Sequence, residues 1–372
     1  MKIAVIIGTR PEAIKCAPVV HAIQSEWPEA DCRVITTGQH KAILDQSLAY
    51  FGIKPDLNLG LMKPNQTLSS LTAGAVEGLD AHFKEEDYDV VLVQGDTTTA
   101  FSGALAAFYN KIPVGHIEAG LRSSDMMAPY PEEGNRRLIS VLGTAHFTPT
   151  EKSSQNLKSE GVKRGIHEVG NTVIDALLWT SKKIKGESDR YNQTFSYLDN
   201  KKPLILVTAH RRENFGEGIN QICQALRTIV EETGAEIIYP VHPNPNIKGP
   251  VTEALSEVAG IHLVDPVDYD ELVYLMNRCH IIITDSGGIQ EEGPSLNKPI
   301  LVLRDVTERP EGIDVGAAKL VGTDTATIVA EAKRLITNQT AYQAMANIPN
   351  PYGDGLASFR IVEALRKMDP SK

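Results

Sequence analysis

Short apolar runs alternate with helical patterns along this chain from end to end, and that alternation admits few folds. Apolar runs at 3–7, 32–36, 90–93, 114–117, 146–149 and 166–169 are separated by segments of helical periodicity at 11–26, 43–51, 67–84, 97–109, 133–141 and 151–160. A second series follows, with strand-like runs at 204–207, 236–239, 262–264, 279–284, 300–303 and 319–321. Its helical patterns lie at 219–232, 268–277, 290–296 and 325–337. Strands that alternate with helices pair in parallel, and the helices cover both faces of the sheet. The prediction is α/β, with two doubly wound, Rossmann-like domains facing a cleft.

The 372 residues suit two domains of ordinary size. The expected boundaries are 1–170 for the first, 171–202 for a connecting helix and linker, 203–355 for the second, and 356–372 for a terminal helix. Within the connection, 189–202 is polar and shows no core pattern, so it reads as the linker. In doubly wound sheets ligands bind beyond the carboxyl ends of the strands, and the polar motifs of this chain fall at such ends.

The formal net charge of −10 argues against broad nucleic-acid binding, which needs a basic surface. Cys16, Cys32, Cys223 and Cys279 are scattered without zinc spacing and read as small core residues. Reduced thiols, strand residues from position 2 onward and the lack of a long apolar run lead us to expect a cytoplasmic protein with no membrane span.

Two segments point to a diphosphate. Residues 284–294 read TDSGGIQEEGP after a strand, and Ser286, Gly287 and Gly288 can turn backbone N–H groups toward an anion at a helix start. Residues 208–218 read TAHRRENFGEG after another strand and bring His210, Arg211 and Arg212 to a similar strand end. Glu292 is placed to hydrogen-bond a ribose, or is a plain helix-surface acid. Arg309 and Glu308, in RDVTERPE at 304–311, are further candidates for reaching a nucleotide or bridging the domains. His242, in YPVHPNPN at 239–246, reads as either a structural histidine or a ligand contact.

The first half carries acids. GTRPEAIK at 8–15 sets Arg10 and Lys15 at a helix start, which fits phosphate or sugar recognition or simply solvated charges. It lacks G-x-G-x-x-G, which argues against nicotinamide or flavin binding there. In VLVQGDTTTA at 91–100, Asp96 is an N-cap unless Thr97 takes that role and frees it. In GHIEAGLR at 115–122, Glu118 ends an apolar strand and needs a partner, for which His116 and Arg122 are candidates. In PYPEEGNRR at 129–137, Glu132 and Arg136 are four apart and can pair on a helix. Asp96, Glu118 and Glu132 are candidates for a three-acid set, suited to moving protons at carbon or to holding a divalent metal, and of the two acid/base work is favoured. No metal-ligand pattern accompanies them.

Eight of these motifs in order, including GNTVIDAL at 170–177 and VHPNP at 241–245, resemble those of the non-hydrolysing UDP-N-acetylglucosamine 2-epimerases. The resemblance spans nearly the whole chain. It implies a glycosyltransferase-B type fold whose last helix crosses back to the first domain. It also implies interconversion of UDP-N-acetylglucosamine and UDP-N-acetylmannosamine by anti elimination of UDP to 2-acetamidoglucal and re-addition, with no cofactor and no metal. Carried onto this chain, Asp96, Glu118, Glu132 and His210 resemble the catalytic set. Arg10, Lys15, Arg136, Ser286, Gly287, Gly288, Glu292 and Arg309 resemble the substrate and UDP ligands. Gln39, Gln66, Arg211 and His242 match positions where bacterial members bind a second substrate molecule as an activator. Members are commonly homodimers and serve surface polysaccharide synthesis.

The chain departs from the family pattern at Gly38, where Ala is common, at Asn65, where many members have Arg, and along LRSSDMMAP at 121–129. The last of these borders the sugar pocket and leaves open a modified sugar of the UDP-2,3-diacetamido-glucuronate type. A glycosyltransferase of the same fold, a hydrolysing epimerase and a non-catalytic UDP-sugar sensor are the rival readings.

Overall fold

The computed structural model describes residues 1–38, 41–61, 66–123 and 125–368. Its chain forms two compact units, Met1–Ala176 with Tyr352–Lys372, and Leu177–Pro351.

The first unit is built on a seven-stranded sheet. Its strands are β1 (Lys2–Ile7), β2 (Asp31–Thr36), β3 (Leu57–Asn58), β4 (Val90–Gln94), β5 (Val114–Ile117), β6 (Ala145–Thr148) and β7 (Ile166–Glu168), in the order β3-β2-β1-β4-β5-β6-β7. Every pairing is parallel. The runs are apolar throughout because both faces are covered: Ile3 to Ile7 and Val90 to Val93 are completely buried. The strand order reverses between β1 and β4, so the chain leaves the two strands on opposite faces and opens a crevice at their carboxyl ends.

The second unit repeats the plan with β8 (Leu204–Thr208), β9 (Glu236–Pro240), β10 (Ile261–Val264), β11 (Ile281–Thr284), β12 (Ile300–Val302) and β13 (Ala318–Leu320). The order is β10-β9-β8-β11-β12-β13, all parallel, and the reversal lies between β8 and β11. Its larger core joins Ile205, Val207, Ile237, Tyr239, Ile281 and Leu301 to the buried face of the helix Glu217–Thr233, including Ile219, Ile222, Leu226 and Ile229.

The last helix, Ala357–Met368, belongs to the first unit and packs on the helix Arg10–Glu26. Asp175 receives its first N–H groups, from Ala357 at 3.3 Å and Ser358 at 2.7 Å. The Arg366 guanidinium lies over the Trp27 ring, 5.7 Å from its centroid.

The stretch 189–202 is not a free linker. Ser188–Thr194 is a helix, and Tyr191, Phe195 and Leu198 are buried in the second unit's core. Tyr191 and Phe195 both stack on Tyr274, at 5.3 and 5.5 Å between centroids, and the Tyr191 hydroxyl donates to Asp270 at 2.7 Å. Three apolar residues at helical spacing amid polar neighbours bury one narrow stripe, too sparse to stand out as a core pattern. The helix Pro245–Leu255 also escapes sequence periodicity, because Pro245 starts it and Pro250 sits inside it. Among the described residues, no helix is long and apolar enough to cross a membrane.

Candidate active site

In the first unit the chemistry gathers at the carboxyl ends of β1, β4 and β5. Glu118 directly follows β5 with φ of +64°, a left-handed conformation uncommon for a residue with a side chain. Conformations of this kind persist where the surroundings impose them, and they cluster at functional sites. Its carboxylate is held at both oxygens by Lys15 Nζ, at 2.7 and 2.6 Å, and it also accepts from the Gln94 amide. Glu118 is 8% exposed, so this pairing answers the cost of burying a charge. The partners expected from sequence are engaged elsewhere. His116 Nε2 bonds the Gly95 carbonyl at 2.7 Å, and Arg122 pairs with Glu160 at 2.6 Å.

Asp96 is free of the helix start. Thr97 caps the helix Thr98–Tyr109 by accepting from Ala100 N at 3.0 Å. The Asp96 carboxylate instead meets Arg136 Nη2 at 3.1 Å, and its backbone carbonyl accepts from Asn135 at 2.8 Å. Packing raises the Asp96 pKa above the ordinary carboxylate value. Arg136 and Lys15 oppose that rise, and the charges of Glu118 and Glu132 add to it.

Glu132 and Arg136 do not pair through their side chains. Arg136 Nε reaches the Glu132 backbone carbonyl at 3.3 Å, and its carboxylate partner on the helix is the fully buried Glu133, at 3.4 Å. Glu133 also takes Ser123 N and Arg137 Nε, so it is the structural acid of the pair. Glu132 Oε2 is a buried oxygen that accepts no hydrogen bond among the described residues. Arg10 stands exposed in the first turn of its helix.

Three further residues frame this site. Buried Glu12 accepts from Gly8 N at 2.9 Å, Thr9 N at 2.6 Å and Thr97 Oγ1 at 2.6 Å, tying the β1 turn to the β4 turn. The spacing Thr9-x-x-Glu12 is a capping-box signature and was readable in sequence. Burial, only partly offset by these bonds, raises the Glu12 pKa. Gln94 and His116 announce themselves by nothing but their positions at the ends of strands. Full burial pushes the His116 pKa down to about 3, so it is a neutral donor to the turn that carries Asp96.

In the second unit the crevice between β8 and β11 carries the cations. Gly287 and Gly288 open the short helix Gly287–Glu292, and Ser286 N is turned back to Thr284 Oγ1 at 2.9 Å. A Cβ at Gly287 would stand 3.8 Å from Arg309 Cζ and 4.0 Å from Arg211 Nη2, so two guanidinium groups hang over the glycine backbone. Arg211 Nε is buried and makes no hydrogen bond among the described residues. Arg309 is fixed from behind by its Nε contact to buried Glu291. Glycine amides under arginines make a place for a diphosphate. Glu292 is buried rather than a surface acid, and Tyr269 donates to it at 2.9 Å. Glu308 turns to Arg304 at 2.9 Å, and Arg304 also holds Glu213 at 2.6 Å.

His210 follows β8 closely and faces Asp285, its ring stacked on His242 at 5.6 Å between centroids. Burial lowers its pKa, Asp285 raises it, and Arg211 and His242 lower it further. Of the positions matched to a second-substrate site, Gln66 is half-buried before the helix Leu68–Glu85, and Arg211 and exposed His242 lie in the second unit. Gln39 falls outside the described residues, as do the departures at Asn65 and Ser124.

Two parallel α/β units, one bearing a caged carboxylate set and one an arginine-topped glycine turn, define a protein that handles nucleotide-linked substrates. The family model of UDP-N-acetylglucosamine 2-epimerase matches residues 21–366. A UDP-N-acetylglucosamine 2-epimerase of Yersinia pestis is 50% identical over 371 residues, covering 98% of each chain, and one of Escherichia coli K12 is 49% identical over the same length and coverage. The crystal structure of the Neisseria meningitidis UDP-GlcNAc 2-epimerase bound to UDP-GlcNAc superposes with a TM-score of 0.91 at 48% identity, covering 99% of this chain and 100% of that one. A Rickettsia africae glycosyltransferase, 13% identical with a TM-score of 0.67, shares the fold alone. The chain belongs to the UDP-N-acetylglucosamine 2-epimerase family, and its fold is of the glycosyltransferase-B type.

Proposed function

We propose that this protein interconverts UDP-N-acetylglucosamine and UDP-N-acetylmannosamine by anti elimination of UDP to 2-acetamidoglucal, followed by re-addition with the proton returned to the other face of C2. The observation that carries the reading is the three-acid set around Lys15 and Arg136, because simple UDP-sugar binding has no need of it. Asp96, Glu118 and Glu132 move the C2 proton. The raised pKa of Asp96 suits a group that alternates between protonated and ionised forms. Lys15 and Arg136 hold the acids in place, and Arg10 adds a cation at the same strand ends.

The second unit takes the leaving group. Gly287, Gly288 and Arg309 receive the diphosphate, Ser286 and Glu292 the rest of UDP, and His210 stands at the bond that breaks. Charge developing on the departing UDP is stabilised by groups already fixed in place, which lowers the barrier without reorganisation. The relatives that carry bound UDP-GlcNAc, and in the Methanocaldococcus jannaschii case UDP-GlcNAc and UDP, support this choice of ligand.

We place the protein in the cytoplasm, as a homodimer supplying surface polysaccharide precursors, with Gln39, Gln66, Arg211 and His242 receiving an activating second substrate. Exposed Phe108, Tyr109, Leu138 and Val141 on neighbouring helices favour a subunit contact on the first unit. Product analysis tests the reaction. UDP-N-acetylmannosamine with the nucleotide still attached is expected, whereas free N-acetylmannosamine or transfer to an acceptor would replace the proposal with one of its rivals. An Asp96→Asn variant that still exchanges the C2 proton at the unsubstituted rate would remove Asp96 from the set.

A further inference from the structure

The residue after β11 makes contacts that the proposed reaction has not used. Asp285 is completely buried, and its Oδ2 accepts three donors: His210 N at 2.8 Å, Arg211 N at 2.8 Å and Asn214 Nδ2 at 3.1 Å. Asn214 is itself aimed by a second bond from the same Nδ2 to the Leu303 carbonyl at 3.2 Å. Asp285 N donates to the Thr208 carbonyl at 3.1 Å, so the residue is stitched to the end of β8 by backbone and side chain alike. The stitch lies at the strand-order reversal of the second unit, where the ligand crevice of such a sheet opens.

The other carboxylate oxygen is the informative one. Asp285 Oδ1 is buried and makes no hydrogen bond among the described residues, and His210 Nδ1 lies 3.3 Å from it. A buried carboxylate oxygen is costly to leave without a donor, and Oδ2 already has its three. The ring nitrogen fills the vacancy only if it carries a proton. We infer that Asp285 is a positioning residue that holds His210 in its Nδ1–H form and turns Nε2 away from the protein as the working atom. A carboxylate that fixes tautomer and ring orientation in this manner is a general device for histidines that move protons. The stacked His242 ring fixes the imidazole plane from the other side.

The charged groups that face His210 are Asp285 from the end of β11, Arg211 from its own turn and His242 from the segment after β9. Burial most of all disfavours the imidazolium, Asp285 favours it, and Arg211 and His242 add to the disfavour, so the pKa is lowered on balance. Asp285 therefore both selects the tautomer and keeps the cation within reach when negative charge gathers on a departing diphosphate. This consequence for turnover rests on the reading of His210 given above; the tautomer assignment does not.

The test is long-range ¹H–¹⁵N NMR of the intact, ¹⁵N-histidine-labelled protein slightly above neutral pH, with His210 assigned by the signal missing from His210→Gln. The expected pattern for His210 is a protonated Nδ1 and a bare Nε2. In Asp285→Asn the amide oxygen can keep the backbone donors while its NH₂ faces the ring, so His210 is expected to switch to the Nε2–H form. Turnover should then fall by about 10²-fold or more, with UDP bound as tightly as before. An Nε2–H signal in the unsubstituted protein, or an unchanged tautomer in a folded Asp285→Asn, overturns the inference. If Asp285→Asn does not fold, the spectrum of the unsubstituted protein still decides. A switched tautomer with undiminished turnover upholds Asp285 as the positioning residue and removes His210 from the chemistry.

Discussion

Lys15 Nζ contacts both carboxylate oxygens of Glu118, at 2.7 and 2.6 Å, across 103 residues of chain and from the helix after β1 to the end of β5. The contact holds a glutamate in a left-handed backbone conformation at the head of the sheet. Both side chains are largely buried, at 16% and 5% exposure, so neither charge is well solvated without the other.

Replacing one partner leaves a buried charge uncompensated. Lys15→Met is expected to lower unfolding free energy by roughly 3 kcal/mol, and Lys15→Met with Glu118→Gln by less than the sum of the single changes. Urea unfolding of the four proteins of that cycle measures the coupling. Additive effects would show that the pair contributes no mutual stabilisation.

Arg309 reaches over Gly287 and is held by Glu291. If Arg309 takes the diphosphate as proposed, Arg309→Ala removes a charge-assisted contact worth about 1.5–3 kcal/mol, and UDP affinity should fall roughly 10- to 100-fold. Calorimetric titration with UDP reads this directly. Because Arg309 would also stabilise the charge that develops on departing UDP, the rate of the same variant should stay low at saturating substrate.

His116 makes stability depend on acid. Burial depresses its folded pKa from 6.5 to about 3, so below pH 6.5 the unfolded chain takes up a proton that the folded chain refuses. Stability is therefore fully present above about pH 6.5 and declines as pH falls toward 3. Buried His146, with its pKa lowered to about 4, acts in the same direction. His116→Gln keeps a donor for the Gly95 carbonyl and has no proton to gain. Its melting temperature should fall less steeply than the unsubstituted protein's between pH 6.5 and 4.5, and parallel curves would contradict this origin.

Much of the molecule was legible in sequence. The strands are apolar runs because helices cover both faces, and parallel strands of that kind carry their own signature. The glycine turn, the His-Arg-Arg strand end, Asp96 and Glu118 were equally visible, because each follows such a run closely, and Glu132 stood out at a helix start behind two prolines. What stayed hidden was pairing across the sheet. Glu118 faces Lys15 and Gln94, not His116 or Arg122, because adjacency at the sheet head follows strand order and side-chain direction rather than distance along the chain. Glu132 and Glu133 are adjacent in sequence, and only the helix phase decides which of them is buried against Arg137. Asp285 lay inside a segment already read as a phosphate turn, and its role depends on a residue 75 positions away.

Asp175 caps the last helix from another part of the first unit. Asp175→Ala should cost about 1–2 kcal/mol of stability, with faster amide exchange beginning in the helix Ala357–Met368. Unchanged protection there would show that packing alone holds the helix.

In the proposed reaction the acids of the first unit remove and return the proton at C2 while UDP is eliminated and restored. NMR of the product made from UDP-N-acetylglucosamine in deuterated water measures it most directly. We expect one deuterium at C2 of every UDP-N-acetylmannosamine formed, and the label should be lost together with turnover in Glu118→Gln. UDP-N-acetylmannosamine that retains the original hydrogen at C2 would contradict the account.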